Sequence, residues 1–230
     1  MMKQVQNLGL LSILIIQFSA CIKQTTCSKV PIPENKPGFV QLIHACPNLP
    51  GIKLWQGELA LQSVGNYYKS NTHYIPVNSG PFALSVKRSA NNLLLASYDN
   101  QLTPNKYYSL FATCDSLYNF IPLLIQDNPL PNDNSKAQLR IVNILSSAES
   151  IEVSSSDQNL EQLDTRQGSP YKYYNPGHLT LTVKNSQTGS LILKNVLLSL
   201  DAGRNYTLYI NGFTKQTGAF SADAILMVNH

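Results

Sequence analysis

The sequence predicts an all-β chain: two tandem antiparallel β-sandwich domains, immunoglobulin- or transthyretin-like in build, after an N-terminal signal and a tether. Three observations predict it. Segments of the chain recur at a spacing of 97 to 99 residues, the recurring segments alternate apolar and polar residues, and no stretch of helical length holds a capped 3.6-residue period.

The repeat starts with Val40-Gln41-Leu42-Ile43-His44-Ala45, which aligns with Leu139-Arg140-Ile141-Val142-Asn143-Ile144 at a shift of 99. At the same shift Gly51-Ile52-Lys53-Leu54 falls on Ser150-Ile151-Glu152-Val153. Asn78 to Lys87 then matches Asn175 to Lys184 at 97, and Leu102 to Phe111 matches Leu200 to Tyr209 at 98. Matches in one order at a nearly constant shift indicate two domains, 39–129 and 137–230. The joint Asp127 to Lys136 is rich in Pro and Asn and reads as a solvated linker. Its Asp and Asn residues lack the spacing and distal Glu of an EF-hand loop.

Within each copy the matched segments read as strands. Phe82, Leu84 and Val86 alternate with Ala83, Ser85 and Lys87, and Leu179, Leu181 and Val183 with Thr180, Thr182 and Lys184. A period of two marks a strand with one buried face. Tyr108 and Leu110, like Tyr206 and Leu208, resume the pattern after turns at Pro104-Asn105 and Ala202-Gly203. Phe120 to Gln126 and Ala224 to Asn229 close the two domains. Gly80, Gly177 and Gly203 read as fold residues that let the chain turn with positive φ. Short strands punctuated by turns every 8 to 12 residues are the pattern of a small sandwich.

Residues 1–20 have the parts of an export signal: Lys3, an apolar run from Leu8 to Ile16, and small residues at Ser19 and Ala20. The run is shorter than the roughly 20 residues of a spanning helix. Phe18-Ser19-Ala20-Cys21 resembles the lipobox of bacterial lipoproteins, which implies cleavage before Cys21 and diacylglycerylation of its thiol. The other reading is an ordinary secretory signal that leaves Cys21 a free thiol. Residues 21–38, with three prolines and no period, read as a tether. Ile22 stands where inner-membrane lipoproteins carry aspartate, so the resemblance implies an outer-membrane address.

Thirty of the 230 residues are charged, 17 basic and 13 acidic, a share of 13% against about 25% in an average domain. The net charge of +4 is spread along the chain and gives no nucleic-acid footprint. His44, His73, His178 and His230 lack metal-ligand spacing, so neither metal nor cofactor is expected. Nucleophile-elbow, P-loop and dinucleotide fingerprints are missing. Asp157, Glu161 and Asp164 could supply the two carboxylates of a hydrolase, but their Ser-, Gln- and Asn-rich setting reads as a loop.

The run His44-Ala45-Cys46-Pro47-Asn48-Leu49-Pro50-Gly51-Ile52-Lys53-Leu54-Trp55 resembles the opening His-Ala-Ser-Pro-Asp-x-Pro-x-Val-Asp-Val-Tyr of the DUF4397 family of bacterial envelope proteins. The later Leu-x-x-Gly-x-x-Tyr-x-Leu pattern fits as well. Counting both copies, the resemblance extends over most of 39–230. Cys46 and Asn48 replace the family's Ser and Asp, and the second copy lacks the His-Ala-x-Pro core. The resemblance implies fold and location and supplies no reaction.

Two groups of residues remain as candidate sites. Cys46 and Cys114, both in the first domain near strand ends, form the candidate disulfide or else two small buried hydrophobes, while Cys27 lies in the tether. Tyr67, Tyr68 and Tyr74 in the first copy, Tyr171, Tyr173 and Tyr174 in the second, and Trp55 make an aromatic set. Exposed on one face, such rings would stack on sugars; packed at the sandwich edge, they would resemble a tyrosine corner. The expected function is therefore a non-enzymatic, lipid-anchored envelope module whose partners are a membrane and another envelope protein. A glycan-binding accessory protein is the alternative, and a sandwich-fold hydrolase a remote one.

Overall fold

Alternating side chains and tight turns divide the chain into short strands, whose placement follows from which of their faces are apolar. The computed structural model describes residues 36–79, 83–98, 102–127, 133–156 and 158–229. Cys21, Cys27, the signal, most of the tether, Gly80, Phe82, Asp157 and His230 lie outside the described residues.

The first half contains β1 (Gly38–His44), β2 (Ile52–Gln56), β3 (Leu59–Ala60), β4 (Ile75–Val77), β5 (Leu84–Arg88), β6 (Leu94–Tyr98), β7 (Tyr107–Cys114) and β8 (Phe120–Asp127). An inner sheet runs in the order β4-β1-β7-β8 and an outer sheet in the order β3-β2-β5-β6. The second half contains β9 (Ala137–Asn143), β10 (Ile151–Ser155), β11 (Gln158–Leu163), β12 (Gln167–Gly168), β13 (Lys172–Tyr174) and β14 (Gly177–Asn185). It continues with β15 (Leu191–Leu200), β16 (Asn205–Asn211) and β17 (Asp223–Val228). Its inner sheet is β12-β9-β16-β17, with β13 also on β9, and its outer sheet is β11-β10-β14-β15. The two halves thus repeat one strand order. Among the described residues no helix is long and apolar enough to cross a membrane.

The pairing is mostly antiparallel, as the sequence predicts, with one parallel pair in each half, β1 with β7 and β9 with β16. Parallel neighbours need a long crossover, and the excursion through the outer sheet provides it. The polar segment around Glu161, expected to be a loop, forms edge strand β11. A strand at a sheet edge need bury little, so a polar composition suits it.

Two turns carry the tyrosine corners. Asn105 and Gly203 have φ of 58° and 72° before β7 and β16. The hydroxyl of Tyr108 then accepts the Thr103 N–H at 3.1 Å, and that of Tyr206 the Asp201 N–H at 2.9 Å. Gly177 enters β14 with φ of 123°, where a side chain would strain the backbone.

Each sandwich has its own core. Val40, Leu42, Ile52, Leu54, Val86 and Leu110 pack in the first, and Leu139, Ile141, Ile151, Val153, Val183 and Leu208 in the second. The inner sheets are buried on their other face as well, against each other. Ile43, Ala45 and Phe111 meet Val142, Ile144, Tyr209 and Met227 in a third cluster. The members are equivalents: Ile43 faces Phe111 across its ladder as Val142 faces Tyr209. Phe111 and Tyr209 also touch each other edge to face at 5.8 Å, as self-equivalent residues do near a two-fold axis.

Beside this apolar cluster lies a buried polar one. Arg140 and Asp127 form an ion pair with side chains 1% and 0% exposed. Arg140 also donates from Nε to Thr207 Oγ1 at 2.9 Å, from Nη1 to the Gln126 carbonyl at 3.1 Å and from Nη2 to Ser109 Oγ at 3.1 Å. Tyr74 donates to Asp127 Oδ2 at 2.6 Å and accepts from Gln41 Nε2 at 3.0 Å and Asn229 Nδ2 at 3.1 Å. Thr207 donates to Asn229 Oδ1 at 2.7 Å. Asp127, expected in a solvated linker, is instead the buried last residue of β8.

Removing one partner of such a pair strands the other in a medium that cannot solvate it, at a cost of about 3–5 kcal/mol. Asp127→Ala and Arg140→Met are therefore each expected to lower unfolding stability in urea by about that amount. The other ion pair across the halves, Lys69–Asp223, has side chains 29% and 47% exposed. Asp223→Asn is expected to cost about 1 kcal/mol or less.

Candidate functional site

The seven aromatic residues marked by the sequence do not share a face. Tyr74 belongs to the buried network, and the Arg140 guanidinium lies 5.0 Å from the Tyr171 ring centre. Tyr68 packs edge-on to Phe220 at 5.8 Å, on the opposite half. Burial and then the Asp223 carboxylate raise its pKa above the ordinary phenol value. Tyr174 packs against the second core, and burial raises its pKa. Tyr67 and Tyr173 are 66% and 48% exposed, on different halves. Trp55 lies on β2 with Lys87 Nζ 4.3 Å from its ring centre, a cation–π contact that covers the indole. Of the two readings of this set, packing describes Tyr68, Tyr74 and Tyr171, at the joint between sandwiches, and Tyr174, on the second core.

Cys46 and Cys114 are joined as a disulfide, with Cα atoms 5.0 Å apart and a separation of 68 positions in sequence. It links the loop after β1 to the end of β7, and Cys114 Sγ lies 3.8 Å from Ser146 Oγ of the second half. Closing a loop of that length is worth about 4 kcal/mol in chain entropy. Cys46→Ala/Cys114→Ala is therefore expected to melt well below the parent, and reductant to lower the parent's melting temperature but not the variant's.

His44 ends β1 fully buried, with Nε2 3.2 Å from the Pro50 carbonyl and its edge toward Tyr68. Burial holds its pKa below the ordinary 6.5. The unfolded chain takes up the proton first, so stability is full above pH 6.5 and falls as pH drops from there toward the folded-state pKa. At the equivalent position Asn143 donates to the matching Glu149 carbonyl at 2.8 Å. His44→Asn is thus expected to keep the contact and flatten the pH dependence of urea unfolding below pH 6.5.

The structure also assembles a corner that no sequence motif announced. Loops after β9, β14 and β16 converge around Glu149. One hollow of about 360 Å³ is lined by Glu149, Asn185, Thr188, Leu191, Thr214 and Lys215, among others. A second of about 310 Å³ shares Glu149 and Lys215 and adds Phe213, Gln216, Ser147 and Ser116, the last from the β7–β8 turn of the first half. Glu149 is pinned on both oxygens, by Asn185 Nδ2 at 3.0 Å and by the Thr214 hydroxyl. Tyr118 of the first half stands edge-on to Phe213 at 5.6 Å. Glu161 and Asp164 are placed elsewhere: Glu161 pairs with Lys172 at 2.6 Å, and Asp164 accepts from Ser150 Oγ at 2.8 Å.

Compared with known proteins, residues 38–154 match the model of a domain of unknown function, DUF4397. The chain belongs to the DUF4397 family. The match is one stretch, from the start of β1 into β10 of the second half. No curated protein matches this DUF4397 chain. A solved structure of the C-terminal domain of AlgF from P. aeruginosa is similar to part of it, at 12% identity and a TM-score of 0.31. That likeness takes in 41% of this chain and 98% of the AlgF domain.

Proposed function

We propose that this DUF4397 protein is a lipid-anchored, non-enzymatic binding module of the bacterial envelope. The observation that carries the reading is the corner around Glu149. It is open, its lining mixes polar side chains with apolar surface, and its one carboxylate has both oxygens already engaged. A glycoside hydrolase places two carboxylates across the scissile bond, whereas a pinned single carboxylate suits recognition. The buried interlock supports the same reading, because it holds loops of both halves in fixed relation.

The anchor rests on the Phe18-Ser19-Ala20-Cys21 lipobox and on the polar stretch after it. Two or three acyl chains, at about 0.8 kcal/mol per buried methylene, hold a protein on a membrane essentially permanently. Expressed in a bacterium, the parent is expected in the membrane fraction, with acyl mass on its N-terminal peptide. Cys21→Ala is expected in the soluble envelope fraction. A parent that is soluble and unacylated would overturn the anchor.

A further inference from the structure

The corner around Glu149 has the chemistry of a receptor for an uncharged, hydroxyl-rich ligand. Its two hollows share Glu149 and Lys215, one anion and one cation and the only charged residues of either lining, so the lining carries no net charge to match on what it holds. Each oxygen of the pinned carboxylate keeps a further lone pair with a fixed direction, ready to accept a ligand hydroxyl. A group already held in place loses little freedom on binding. Thr188 already donates to Ser190 Oγ at 2.9 Å, which leaves the Ser147 and Ser190 hydroxyls to donate outward, and Lys215 adds a donor. Leu191, 55% exposed, forms an apolar strip with Ile192, and Phe213 gives a second apolar wall. Alternating hydroxyl and C–H faces are what a sugar ring presents, and hollows of this size lie at the lower end of small-ligand clefts, about 300–1,000 Å³.

The repeat supplies an internal control. Strand pairing sets Ile52 opposite Arg88 in the first half and Ile151 opposite Asn185 in the second, so Arg88 occupies the place of Asn185. By the same alignment Pro50 stands where Glu149 does, while Lys215 lies in the β16–β17 connection, which is longer than the β7–β8 turn and has no counterpart there. Both halves build the same sandwich, so the fold does not require a carboxylate and an amide at this corner.

We propose that this corner binds a neutral glycan segment, laid across Glu149 and Lys215 from one hollow into the other. The inference rests on the reading of the chain as a binding module and names its ligand class. It is tested by screening the full chain, purified in detergent, on an array of neutral and acidic glycans beside Glu149→Gln, Lys215→Ala and Trp55→Ala. Loss of one charge-assisted hydrogen bond weakens binding about 10- to 100-fold. That loss is expected for Glu149→Gln and for the exposed Lys215→Ala, while Trp55→Ala binds as the parent does. Binding that both corner variants retain, a preference for acidic glycans, or silence of the parent on the array would each overturn the proposal. Silence from a parent still recovered acylated in membranes would remove the ligand and leave the anchored module standing.

Discussion

The ion pair between Arg140 and Asp127 fixes how the two sandwiches meet. Both charges are out of water, and that cost is recovered only because nearly every remaining site is bonded: Thr207, Ser109 and the Gln126 carbonyl on the cation, Tyr74 and Ser109 on the anion. The apolar cluster of Ile43, Phe111, Val142 and Tyr209 supplies non-directional burial and would tolerate small slides of one sheet on the other. Hydrogen bonds at 2.6 to 3.1 Å with fixed angles do not. Burial thus brings the halves together, and the polar cluster sets their register.

The same cluster breaks the internal symmetry where specificity needs it. Gln41 occupies in the first half the place of Arg140 in the second, Ser109 that of Thr207, and Asp127 that of Asn229. First half against first half would set Asp127 against a neutral Gln41; second against second would leave Arg140 facing Asn229. Only the mixed pairing neutralises both charges, so a like pairing carries a buried, unpaired charge. The corner at Glu149 depends on that choice, because Ser116 reaches it from the opposite half and Tyr118 abuts Phe213 at its edge.

Most of the fold was legible in the sequence because a strand writes its buried face into every second residue, and two alike halves write it twice. Leu181-Thr182-Val183-Lys184 lies where its alternation places it, and Leu84 and Val86 are buried as expected, although Ser85 between them is buried too. The inner strands were harder. In Leu139-Arg140-Ile141-Val142-Asn143 both parities are buried, so alternation cannot say which face meets its own core and which meets a neighbour. An arginine inside such a run was the available signal, since a residue that costly to bury needs a partner. The tyrosines left two readings open because a recurring Tyr fits a joint as well as a binding face. Glu149, Asn185 and Thr214 carried no signal, being gathered from loops far apart in sequence.

A chain whose two halves share one strand order offers a way to separate scaffold from site that a single sandwich lacks. Whatever both halves keep, the shared backbone needs: the corner tyrosines Tyr108 and Tyr206, the turns at Asn105 and Gly203, and the joint residues Tyr74 and Tyr171. Whatever one half alone carries answers to something else. In the first half that is the Cys46–Cys114 bridge, whose aligned counterparts are Leu145 and Gly212. Gly212 takes φ of 88° with its Cβ direction closed off by the Ser221 carbonyl, so no side chain fits there and no bridge can form. In the second half it is the Glu149 corner. At the aligned end of the first half the backbone packs tightly instead: a side chain at Gly51 would sit 2.8 Å from Ser89 Oγ and 3.2 Å from the Tyr67 ring. One sandwich has its loop end tied by a disulfide, while the other gathers a pinned carboxylate at the same end, and the shared backbone demands neither.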